Sequence, residues 1–99
     1  MNLIQVLLPL STDRKENSKR FRLVRHELAS RFGGLTLYGN APAEGLWEDE
    51  GAVETDAIVI VEVMAEELDL DWWAAYRVKL ERRFHQDEIV IRSMTATRL

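Results

Sequence analysis

Apolar residues along this chain recur with two periods, and the alternation between them lays out six elements. Leu3 to Leu8 is a short apolar run closed by Pro9, the mark of a buried strand. Asp13 with Glu16 three residues on reads as a capped helix start. Phe21, Val24, Leu28 and Phe32 then recur at i, i+3, i+7 and i+11, one apolar stripe on an otherwise basic helix. The stripe stops at Gly33-Gly34, and helices commonly end in left-handed backbone where glycine has no Cβ to strain, so these glycines predict a C-terminal cap. LTLYG, residues 35–39, alternates as a strand. NAPAEG after it predicts a bulge or bend, because Pro42 has no N–H to give a ladder and is tolerated mainly at an edge. LWEDEGAVET resumes the strand, turns near Asp49 to Gly51, and feeds DAIVIVEVM, residues 56–64, the strongest strand pattern in the chain. Asp69 or Asp71 caps a second helix, in which Trp73, Tyr76, Leu80 and Phe84 repeat the stripe of the first. EIVIRSM, residues 88–94, is the last strand.

Strand, helix, strand, strand, helix, strand is the order of a ferredoxin-like plait (βαββαβ). This α+β fold is a four-stranded antiparallel sheet with two helices on one face, here spanning residues 1–99 as a single domain. Period two then sorts the strand residues. Ile4, Val6 and Leu8, Leu35 and Leu37, Val59, Val61 and Val63, and Ile89 and Ile91 face the helices. The opposite face holds Leu3, Gln5, Leu7, Thr36, Tyr38, Ile58, Ile60, Glu62, Met64, Val90, Arg92 and Met94, which is too apolar to be left wet. With strands ordered 4-1-3-2, Gln5, Glu62 and Arg92 fall side by side on it. An amide, a carboxylate and a guanidinium in an apolar field must satisfy one another, since an isolated buried charge is costly. Two outcomes are open: an Arg92–Glu62 pair bridged by Gln5 inside an interface, or a small pocket in which Arg92 holds a ligand carboxylate or Glu62 acts as a base. Tyr38 and Trp47, on the bent second strand, are placed to rim that pocket.

Charge is segregated along the chain. Residues 14–31 carry seven Lys/Arg against Glu16 and Glu27, residues 32–76 carry eleven acids and no Lys/Arg, and the remainder is again basic, for a net charge of −4. Such a pattern suits a basic helical face meeting an acidic partner, a basic element of one subunit meeting an acidic hairpin of another, or two solvated faces. An acidic middle segment and the lack of paired aromatics on the central strands argue against nucleic acid. With no Cys, thiolate chemistry and cysteine metal sites are excluded. His26 and His85 stand alone, and Asp49, Glu50, Glu54 and Asp56 lack the spacing of a calcium loop, so neither a metal nor another cofactor is expected. No apolar run reaches the roughly 18 residues of a membrane span and the start has no signal-peptide character, so no membrane partner and a cytoplasmic location are expected.

FGGLT, the later GLW, and FHQDEIVI after the second helix resemble small bacterial families with the ferredoxin-like plait. That resemblance implies the fold and carries no catalytic residue. The functional expectation is a homodimeric interaction module joined over the open sheet face. The alternative is a small-molecule-binding protein or small enzyme, of the dimeric α+β barrel type, with its pocket there.

Overall fold

The elements follow the expected order: β1 (Asn2–Pro9), α1 (Arg14–Phe32), β2 (Thr36–Asp49), β3 (Ala52–Ala65), α2 (Leu70–Arg83) and β4 (Ile91–Thr95). This computed structural model describes residues 1–49 and 52–99, with side chains described outside 40–43, 45 and 47–56. The four strands form one antiparallel sheet in the order β2-β3-β1-β4, the ferredoxin-like α+β plait. The turn expected near Asp49 to Gly51 includes residues 50 and 51, which lie outside the described residues; pairing of β2 with β3 extends to Asp49 opposite Ala52.

Local chemistry sets the helix limits. The Asp13 carboxylate accepts from the amides of Lys15 and Glu16, satisfying two donors that the first turn of α1 leaves without partners. Gly33 ends the helix at φ 80°, its N–H donating to the carbonyl of Ala29. A left-handed residue here is why glycine is needed. Asp69, not Asp71, caps α2 by accepting from the Trp72 amide. The bend expected in NAPAEG is a register shift in the β2–β3 ladder between Tyr38 and Ala43.

Both helices lie on one sheet face. Ile4, Val6 and Leu8 meet Val63, Val61 and Val59 across the β1–β3 ladder, and all six are buried with Ile89 beneath the two stripes. Leu35, Leu37 and Ile91 are half-buried at the margin of this core. At one end of the helices Phe32 stacks on Trp73 at 5.3 Å and meets Trp72 edge-on at 5.5 Å, so the half-buried Trp72 seals the core edge. One boundary differs from the sequence expectation. Residues 88–90 do not join the ladder as regular strand: the amide of Ile89 donates to the Glu81 carboxylate, and only Val90, accepting from Leu7, bridges to β1 before β4 begins at Ile91.

Candidate functional site

The face away from the helices is the one that period two left half apolar. Leu3, Leu7, Ile58 and Ile60 are half-buried there, while Val90, Met94 and Met64 are each exposed by more than 40% (45%, 46% and 43%). An apolar field of that kind is larger than the scattered single apolar residues of an ordinary surface.

Four polar side chains cross it in a line. β1 lies between β3 and β4, and Gln5 is the register partner of both Glu62 and Arg92, so the pleat puts all three on the same side. The Gln5 amide is both donor and acceptor and serves both neighbours. Its Nε2 donates to Glu62 Oε1 at 2.7 Å, and its Oε1 accepts from Arg92 Nε at 2.7 Å. Tyr38 OH donates to the other Glu62 oxygen at 3.2 Å. The Glu62 negative charge, and then this hydrogen bond, raise the Tyr38 phenol above its ordinary pKa of 10.0. The guanidinium and the carboxylate are thus joined through the amide rather than in direct contact, and both Glu62 oxygens are occupied. Among the described residues only the Nε of the exposed Arg92 is engaged, which leaves its two terminal nitrogens for another acceptor.

Of the five residues picked from the sequence, Gln5, Tyr38, Glu62 and Arg92 are therefore brought together. The side chain of Trp47 lies outside the described residues, as do those of Asp49, Glu50, Glu54 and Asp56. A concavity on this side of the sheet lies apart from the polar line: a hollow of about 550 Å³ at the Pro9 end of β1, walled by Leu7, Pro9, Ile58 and Val90 and by Gln86, Asp87 and Glu88. No cluster of three or more metal-binding side chains forms among the described residues.

A second polar constellation links the helices, and sequence reasoning missed it. Glu27 on α1 accepts a two-pronged hydrogen bond from the Arg83 guanidinium on α2, a third from Tyr76 OH at 3.0 Å and a fourth from Lys79 at 3.4 Å. The bonds from Arg83 hold the Glu27 carboxyl below its ordinary pKa against the opposing effect of burial. Burial pushes the Tyr76 phenol up, helped by the Glu27 charge. A signal was available: Glu27 follows the stripe residue Val24 by three positions, and Arg83 follows Leu80 by three, so each flanks its stripe where the helices meet. His26 is exposed, as expected from its place off the stripe. His85 sits at φ 52° with its amide donating to the Arg82 carbonyl, so its backbone helps close α2.

No protein-family model matches the chain, and no curated protein matches it in sequence. Solved structures do match in shape. A divalent cation tolerance protein (Cut A1) from Thermus thermophilus superposes with TM-score 0.64 at 9% identity, over 99% of this chain and 86% of that one. The PII-like protein CutA from Nostoc sp. PCC 7120, in apo form, gives 0.65 at 12% identity over 97% and 81%. The periplasmic divalent cation tolerance protein CutA from Archaeoglobus fulgidus gives 0.60 at 13% identity over 98% and 84%. At these identities the likeness is one of fold.

Proposed function

We propose that the chain is an interaction module that associates with copies of itself, a homodimer in the simplest case, through the open sheet face. The observation that supports this is the Tyr38–Glu62–Gln5–Arg92 line within an apolar field. Because both Glu62 oxygens and the Arg92 Nε already hold hydrogen-bond partners inside one chain, covering the line leaves those groups paired, which offsets part of the desolvation cost. Leu3, Leu7, Ile58, Ile60, Met64 and Met94 supply the area whose removal from water drives the contact. The terminal nitrogens of Arg92 would take an acceptor on the opposing copy.

A second reading, a small-molecule site or small enzyme at the same face, draws on the hollow of about 550 Å³ beside Leu7, Ile58 and Val90, which falls within the size range of ligand pockets. In that case Arg92 is the anchor for a ligand carboxylate and Glu62 a base. The names of the structural neighbours speak of divalent cations, but at 9% identity the likeness is one of fold, so that activity is not carried over. No helix among the described residues is long and apolar enough to cross a membrane, and we place the protein in the cytoplasm, without a nucleic-acid or membrane partner.

The test is Ile60→Glu, which sets a charge in the middle of the face. The self-associating module becomes monomeric in sedimentation velocity while its far-UV circular dichroism is retained. Unchanged assembly of this variant would place the contact elsewhere.

A further inference from the structure

On the helical layer a groove of about 570 Å³ runs between α1 and α2 with no sheet residue in its lining. Trp72 and Ala75 give it apolar surface, and His26, Ser30, Arg31 and Lys79 give it donors. Its one lining carboxylate, Glu27, is already matched by the two-pronged bond from Arg83 and by Tyr76 OH. Lys79 touches that saturated carboxylate only at 3.4 Å and is more than half exposed, so its ammonium is a surplus positive charge on the groove. Arg31 is held in place, its guanidinium 4.3 Å from the centre of the Trp72 ring and 3.5 Å from an exposed Asp69 oxygen. The side chains of His26 and Ser30 make no hydrogen bond within the described chain.

The surrounding field has the same sign. α1 carries a net charge of +5 and α2 of +2, in a chain whose total is −4, and Arg22, Arg25 and Arg82 are exposed on the two helices. An apolar floor with pre-placed cations and no uncommitted carboxylate is complementary to a negatively charged, flat molecule. We infer that this groove is a binding site for a small organic anion with an aromatic body, an aryl carboxylate or aryl phosphate. The anionic group lies among Lys79, His26 and Arg31, with Ser30 as a neutral donor, and the ring lies on Ala75 beside the edge of Trp72, whose indole is stacked on Tyr76 at 4.8 Å and carries the Arg31 guanidinium at 4.3 Å. This site shares no residue with the sheet face and stands or falls independently of self-association.

Phenyl phosphate is the probe, followed by amide and indole NMR shifts of the full chain, with inorganic phosphate and phenol as the charge-only and ring-only controls. The expected result is saturable movement of the His26, Ser30, Ala75 and Lys79 amides and the Trp72 indole, with both controls much weaker. Lys79→Ala and His26→Gln, both at exposed positions, should each weaken binding about fivefold, the loss of one exposed polar contact. The inference is overturned if the groove signals do not move, if either control binds as well as phenyl phosphate, or if neither substitution changes the affinity.

Discussion

Replacing Glu27 with Gln keeps the shape of the side chain and removes its charge, leaving the Arg83 guanidinium opposite a neutral amide. In the native chain Arg83 is only 15% exposed and Glu27 23%, and the carboxylate takes both guanidinium prongs plus the Tyr76 hydroxyl. A hydrogen bond to a charged group is worth about 1.5–3 kcal/mol, and stranding one member of a fully buried pair costs about 3–5. Partial exposure places the cost of Glu27→Gln near the lower of these ranges, about 2 kcal/mol. For a domain of this size that is a fall in Tm of about 10 °C, read by circular dichroism at one fixed protein concentration. The pH dependence supplies an internal check. Because Arg83 lowers the Glu27 pKa from its ordinary value of 4.5, the charged form is stabilised by folding. That stability is present above pH 4.5 and is lost as pH falls through the lowered value. The gap between native chain and variant should therefore be full at pH 7 and close progressively below pH 4.5. A gap under 0.5 kcal/mol at pH 7, or one that stays constant into acid, would refute the assignment of the Glu27–Arg83 contact as the charged clasp between the helices.

Other substitutions separate backbone, capping and surface effects. Gly33→Ala should cost about 1 kcal/mol through left-handed backbone alone, since nothing lies within 4 Å of the added Cβ, whereas Gly34→Ala should be near neutral; urea midpoints give both. Asp69→Ala removes the cap of α2 and should lower stability by about 1 kcal/mol in the same assay. Gln5→Leu breaks the line between Arg92 and Glu62. If copies cover the face, leaving those charges without their shared partner should weaken assembly by about 2 kcal/mol, or about 30-fold in Kd by sedimentation equilibrium. An unaltered Kd would count against the line lying in the contact.

The polar line was legible in the sequence because sheet geometry is short-ranged arithmetic. Once Leu3–Leu8, DAIVIVEVM and EIVIRSM are taken as neighbouring strands, a period of two and the order of the plait force Gln5, Glu62 and Arg92 into one row. What periodicity does not give is which hydrogen bonds close. The sequence offered an Arg92–Glu62 pair bridged by Gln5 beside a pocket reading, and the amide of Gln5, with one donor end and one acceptor end, makes that bridge. The clasp of Glu27 with Arg83 was harder to see for a different reason. Its members are 56 residues apart on two helices whose relative rotation depends on packing, and each alone reads as one more charge on a solvated surface. The shortened β4 has the same origin: the Glu81 carboxylate, on a separate element, captures the Ile89 amide that the strand pattern assigns to the ladder.

Self-association over the open sheet face is most directly tested by the native mass of the protein under gentle ionisation, with the Ile60→Glu variant measured alongside. The account predicts a multiple of the 11.5 kDa chain mass for the native protein and a single chain for the variant. An assembly carrying an additional few hundred daltons would favour the ligand-binding reading of the same face. A native protein of single-chain mass at micromolar concentration would contradict the central claim.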